Sequence, residues 1–139
     1  MKDYFLNHPT NKLDKNSTNQ ILKTSKSIFF HKSFDEYKKS PLIELSVLAK
    51  DLNITSLYVK DESFRFGLNA FKVLGASYAV SQILKKNPNV SVFCTATDGN
   101  HGRALAWSAE KYNKKCVVFV PKDTSELRIK AISNHGAKV

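Results

Sequence analysis

Lys60-Asp61-Glu62-Ser63-Phe64-Arg65-Phe66-Gly67-Leu68-Asn69-Ala70-Phe71-Lys72-Val73-Leu74-Gly75 is the stretch around which the rest of the chain is organised. It follows the apolar run Leu57-Tyr58-Val59, which reads as a strand. It then passes through a loop containing Gly67 into an apolar helix pattern that continues to Leu84. Asn69 is expected to cap that helix, its side-chain oxygen accepting from free N–H groups of the first turn. Lys72 then falls in the first turn of a helix built from Phe, Val, Leu, Ala, Tyr and Ile. A helix that is apolar nearly all round is expected to be buried. At its mouth, apolar surroundings and the positive helix end both favour a free amine, and a free lysine amine can condense with a carbonyl. The ordinary alternative is a lysine that bends its ammonium out to water.

A second stretch, Thr95-Ala96-Thr97-Asp98-Gly99-Asn100-His101-Gly102, has the same construction. The apolar run Val90-Ser91-Val92-Phe93-Cys94 precedes it as a buried strand, and Arg103-Ala104-Leu105-Ala106-Trp107-Ser108-Ala109-Glu110 follows as a helix. A strand, a tight loop with two glycines and a helix N-terminus form a site for an anion, since the glycines let backbone N–H groups approach closely. The five glycines fall where this reading needs them. None precedes Gly67, Gly67 and Gly75 flank Lys72, Gly99 and Gly102 lie in the loop, and Gly136 ends a later helix.

Phe71-Lys72 after a strand, with Gly99-Asn100-His101-Gly102 further on, resembles the pyridoxal-phosphate enzymes of fold type II. Within them, Lys60-Asp61-Glu62-Ser63 and Arg65 to Lys72, together with Thr95 to Arg103, are similar to the diaminopropionate ammonia-lyases. The resemblance runs from about Pro41 to Val139 and scarcely touches residues 1–40. It implies an α/β fold, a parallel sheet flanked by helices of the tryptophan synthase beta type, and pyridoxal 5'-phosphate as cofactor. It also implies α,β-elimination of 2,3-diaminopropionate to pyruvate and ammonia. On this resemblance Lys72 would bind the cofactor and serve as the base at Cα of the L isomer. Asp98 would serve the D isomer, and Asn100 would hydrogen-bond the cofactor's ring hydroxyl oxygen. The backbone of Thr97, Asp98, Gly99 and His101 would hold the substrate carboxylate. The residues themselves leave other roles open. Asp98 suits an Asx-turn or N-cap, and its helix end favours a carboxylate either way. His101 could simply order its loop. The family's glycine-rich phosphate loop, the group facing its pyridine nitrogen and a second aspartate lie beyond residue 139. The expectation is therefore the N-terminal part of a homodimeric enzyme, inactive by itself.

The rest of the chain supplies the frame. With 139 residues, 42% hydrophobic and 24% charged, the composition is that of a soluble domain with one modest core. The apolar runs are too short to span a bilayer, no secretory signal opens the chain, and a cytoplasmic location is expected. Cys94 and Cys116 both lie in strand-like runs without metal-site spacing, and are expected to be buried reduced thiols. No metal site is expected. The net charge of +10 comes from 19 Lys and three Arg scattered without a run beyond a Lys-Lys pair. A nucleic-acid site more often shows an arginine stripe with exposed aromatics, so no nucleic-acid or membrane partner is expected.

Residues 1–40 read as polar and irregular, with Ser27-Ile28-Phe29-Phe30-His31 as a short patch packing on the domain. His8 and His31 are taken as structural or surface residues. The remainder, 41–139, reads as a partial α/β domain. Pro41 begins a helix pattern with Leu45, Leu48, Ala49 and Leu52 on one stripe and Asn53 as C-cap. Strands are expected at Ser56–Val59, Val90–Thr95 and Cys116–Val120, and helices at Ala70–Lys86 and His101–Tyr112. Asp123 and Glu126 have capping-box spacing for a helix running to about Asn134, with Gly136 at its C′ position. Trp107 is assigned to the core. The alternation of strand and helix predicts a parallel sheet, with Ala137-Lys138-Val139 beginning a further strand. Two alternatives accompany this reading. A serine or threonine dehydratase would share Phe71-Lys72 and the Asn100 loop, although Ala70 and Asp98 stand where dehydratases typically carry serine. A basic, non-catalytic remnant or polyanion-binding module is the other.

Overall fold

The computed structural model describes residues 26–139. The elements are α1 (Lys26–Lys32), β1 (Leu42–Glu44), α2 (Ser46–Asp51), β2 (Tyr58–Lys60), a 3₁₀ turn (Arg65–Gly67), α3 (Lys72–Lys86), β3 (Val92–Ala96), α4 (Asn100–Lys111), β4 (Lys115–Phe119) and α5 (Glu126–Ser133). Among the described residues, no helix is long and apolar enough to cross a membrane.

The apolar, β-branched runs around Phe93 and Val118 pair in parallel, in register from Val92 opposite Lys115 to Ala96 opposite Phe119. Helix α4 makes the crossover that a parallel pair requires. Thr97 continues the ladder by donating its N–H to the Phe119 carbonyl at 2.9 Å. Lys138 joins the other side of β4 in a parallel bridge, as the expected further strand requires. The fold is thus the α/β architecture expected. Alternation along the strands sends Phe93, Cys116 and Val118 to one face, against Val80 of α3, Ala106 and Ala109 of α4 and Ile132 of α5. A second cluster joins Phe66, Leu68, Val73, Ala76, Ala104 and Trp107, with Phe34 and Tyr37 packed on it. Trp107 lies in the core as assigned, 5.3 Å from the Phe66 ring.

Helix α4 approaches the sheet closely because residue 102 is glycine. A Cβ there would lie 2.9 Å from both Thr97 Cγ2 and Val118 Cγ1, and 3.4 Å from Ile132 Cδ1. Gly102→Ala should therefore cost ~1–3 kcal/mol, the usual penalty of overpacking. A denaturant midpoint unchanged from wild type would show that the helix shifts freely.

Several local expectations are corrected. Asn69 does not cap α3. It adopts a left-handed φ of 56°, the helix begins at Lys72, and no side chain caps it. Gly67 and Asn69 instead supply the positive φ that the loop needs, a conformation Asn tolerates better than most residues. Helix α3 buries Val73, Ala76, Ser77, Val80 and Ser81, but leaves Phe71, Lys72, Gly75, Ala79 and Ile83 exposed. Being apolar all round did not make it buried all round, because neighbours pack on one side. The same holds for the sheet, whose second face, with Val92, Cys94, Ala96 and Phe119, is exposed. Cys94 is therefore not buried, whereas Cys116 is, and burial pushes the Cys116 thiol up from its ordinary pKa.

Leu42–Glu44 is a strand rather than the start of a helix, and it pairs antiparallel with β2. The strand after Leu57 thus belongs to a hairpin-like pair outside the parallel sheet. Bonds from Leu45 N–H to the Leu57 carbonyl (2.8 Å) and from Asp61 N–H to the Pro41 carbonyl (3.0 Å) extend that pair. Helix α2 is correspondingly short, and Asn53 follows it at φ 53°. The cap of α5 is Ser125, not Asp123, because a turn closed by Thr124 N–H on the Pro121 carbonyl (3.1 Å) occupies the preceding residues. The C-cap is Asn134, so Gly136, at φ 73°, lies one residue past the expected C′. Within the stretch expected to be irregular, Lys26–Lys32 is helical. Its His31 is a structural residue, buried and 2.8 Å from the Leu74 carbonyl through Nε2. His8 lies outside the described residues.

Candidate active site

At the carboxyl end of β3 the chain turns through Thr97-Asp98-Gly99 and enters α4 at Asn100. This end of a parallel sheet is where open α/β folds place their ligands. The first N–H groups of α4 point out of the helix, and its dipole makes them an anion site. A cleft of ≈ 380 Å³ opens there, lined by Lys72, Thr97, Asp98, Gly99, Asn100, His101, Arg103, Arg128, Ala131 and Ile132. A second cleft of ≈ 340 Å³ adjoins it between the Lys60–Ser63 turn and the Asn69–Lys72 stretch, and Asn100 also lines it. Lys72 and Asn100 thus stand where the two clefts meet. Every site residue expected from sequence, namely Lys72, Thr97, Asp98, Gly99, Asn100 and His101, lines the first cleft.

Lys72 is the first residue of α3 and its side chain is exposed to the clefts rather than embedded among apolar groups. The buried, apolar setting expected of Lys72 is therefore not found. Asp98 makes no cap, and the N-cap position of α4 is Gly99. The Asp98 carboxylate instead accepts a hydrogen bond from Arg128 Nη1 at 3.1 Å. Both side chains are about 60% exposed, at 61% and 59%, so the pair contributes little to stability and can open. Arg128 carries no local signal in the sequence, since it reaches the loop only through the packing of α5 on α4. Arg103 was legible as part of the motif but not in its contacts. Its Nη1 donates to the Leu68 carbonyl at 3.1 Å and its Nη2 lies 3.4 Å from that of Gly67.

Behind the second cleft, the charged opening of the first motif forms a small polar core. Arg65 donates to Glu62 through Nε (2.5 Å) and Nη2 (2.9 Å), to Ser40 Oγ (2.7 Å) and to the Lys38 carbonyl (2.8 Å). The Arg65 guanidinium holds the Glu62 carboxyl down at about 2, against an ordinary 4.5. Since the folded value is depressed, this stabilisation is fully present above pH 4.5 and is lost as pH falls toward 2. Glu62→Gln should remove that acid dependence, and Glu62→Ala at neutral pH should cost about 3 kcal/mol by leaving Arg65 unpaired. Urea midpoints measured across this pH range check both. Parallel acid sensitivity of wild type and Glu62→Gln would show that other carboxylates govern it.

The donor set suits an anionic aldehyde cofactor. A primary amine, an amide side chain and a helix N-terminus converge on one cleft, with Arg103 and Arg128 beside them and one carboxylate already paired. Comparison with known proteins agrees. The family model described as pyridoxal-phosphate dependent enzyme matches residues 34–139. A diaminopropionate ammonia-lyase of Salmonella typhimurium is 43% identical over 130 residues, covering 78% of this chain and 32% of the relative. The apo structure of the Escherichia coli diaminopropionate ammonia-lyase superposes with a TM-score of 0.77 at 40% identity, covering 81% of this chain and 34% of that one. A biosynthetic L-threonine dehydratase of Staphylococcus epidermidis is 31% identical over 99 residues, 71% of this chain and 23% of the relative. The chain spans about a third of the length of the ammonia-lyases it matches. With a lysine and a Gly-Asn-His-Gly loop meeting at the carboxyl end of a parallel sheet, and the family model covering three quarters of its length, this chain belongs to the pyridoxal-phosphate dependent enzymes, whose cofactor is pyridoxal 5'-phosphate.

Proposed function

We propose that, at the length of its relatives, the protein converts 2,3-diaminopropionate and water to pyruvate and two molecules of ammonia. The observation that carries this reading is the convergence of Lys72 and Asp98, two candidate bases from two separate motifs, on one cleft. The higher identity to the ammonia-lyase than to the dehydratase supports it. So do Ala70 and Asp98, at positions where dehydratases typically carry serine.

In this proposal Lys72 holds the cofactor through its amine, and the Asn100 side chain hydrogen-bonds the ring hydroxyl oxygen. When bound, the cofactor supplies an electron sink for the charge left at Cα. The N–H groups of the Thr97–His101 loop and the α4 N-terminus hold the substrate carboxylate. Lys72, its amine freed once substrate is bound, removes the Cα proton of the L isomer. Asp98 removes that of the D isomer, after its exposed pair with Arg128 opens. The β-amino group leaves as ammonia, and hydrolysis releases pyruvate and the second ammonia. The small-molecule partner, a homodimeric assembly and a cytoplasmic location belong to the same proposal, as does inactivity of residues 1–139 alone.

The test is the protein extended to its relatives' length, purified with pyridoxal phosphate and offered D- and L-diaminopropionate, L-serine and L-threonine. Pyruvate from diaminopropionate, followed with a coupled dehydrogenase, is the expected result. Turnover confined to serine or threonine would make it a dehydratase, and no turnover on any of these would favour a non-catalytic remnant.

A further inference from the structure

We propose that Arg103 is a positioning residue that sets the placement of Lys72 relative to Asn100, an inference that rests on the cofactor-binding reading of the cleft. The two groups come from separate motifs, and the backbone does not connect them locally. Lys72 follows the Arg65–Gly67 turn, whereas Asn100 opens α4. Arg103 lies one turn into α4, and its fork reaches back to the Leu68 carbonyl at 3.1 Å and the Gly67 carbonyl at 3.4 Å.

The segment it grips needs holding. Phe66, Gly67 and Asn69 have φ of 51°, 70° and 56°, so three of four consecutive residues lie in the left-handed region. Two of these are not glycine, and such a conformation persists only where surrounding structure over-determines it. Burial of Phe66 and Leu68 in the aromatic cluster anchors the side chains. The Arg103 fork is a polar anchor on the backbone of the same segment, at the Gly67 and Leu68 carbonyls. The guanidinium also sits awkwardly for a purely stabilising residue, because its buried Nε has no hydrogen-bond partner among the described residues. A planar guanidinium can span two neighbouring carbonyls, whereas a lysine ammonium acts as a single point of charge.

Arg103→Met and Arg103→Lys test this in the protein at its relatives' length. Amide hydrogen exchange is read at Gly67 and Leu68, which donate to the Phe64 and Arg65 carbonyls. The absorption band of the cofactor held by Lys72 is read alongside. Both variants should speed exchange at those two amides by about tenfold or more, leave β3 and β4 unchanged, and shift the absorption band. Methionine should not exceed lysine by much, since the fork rather than the charge is lost. Three results would overturn the inference: unchanged exchange in both variants, exchange that rises equally across β3 and β4, or a loosened loop with an unshifted band. Wild-type protein that takes up no cofactor would instead overturn the reading of the cleft, and the exchange measurement would still decide whether Arg103 fastens the loop.

Discussion

Lys72→Ala, in the protein at its relatives' length, should lose covalent attachment of pyridoxal phosphate altogether and reduce diaminopropionate turnover by about 10⁴-fold or more, the scale expected when one group both anchors and transfers the proton. Lys72 is the lysine that both clefts share, at the first residue of α3 and exposed to incoming ligand. Among the described residues, no other lysine lines both clefts beside Asn100. Borohydride reduction of the wild type followed by peptide mapping should find the pyridoxyl group on Lys72. Label on a different lysine, or a yellow Lys72→Ala protein with steady turnover, would sink the assignment.

Asp98→Asn should lower turnover of D-diaminopropionate by ~10²–10⁴ while changing the L isomer far less, because a positioned acid or base is worth that much in rate. Asp98 lies in the turn just before Gly99-Asn100-His101-Gly102 and Lys72 in the other motif, so the two bases can approach a substrate carbon from different elements. Its described hydrogen bond goes to Arg128 on α5, not to the backbone of its own loop. Asparagine keeps the shape and can still accept from Arg128, but cannot take a proton. Equal losses on the two isomers would mean that Asp98 orders the loop instead.

The parts that were legible share a physical character. Strand, glycine loop and helix succeed one another within a few residues in both motifs, and the forces that set them are local propensity, turn chemistry and alternation. That is why β3, α4 and β4 lie within a residue or two of expectation, and why Lys72 falls in the first turn of α3. Gly102 was read as a loop residue but lies in the first turn of α4, and its reason, a 2.9 Å approach to Thr97 and Val118, comes from packing. Asn69 was misread because a good capping residue is also a good left-handed one, and only the path of the loop chooses between them.

By itself, the order of amino acids determined the α/β class, the two motifs that hold Lys72, Asp98 and Asn100, and the chemistry those residue types can support. Tertiary structure alone decided the rest. It paired Leu42–Glu44 with β2, left one face of α3 and of the sheet bare, brought Arg128 to Asp98 and fastened the Lys72 loop to α4 through Arg103. Each of these joins residues far apart in the chain, and their energy depends on which surfaces meet. A local pattern of apolar and polar residues states how much surface must be covered, but not what covers it.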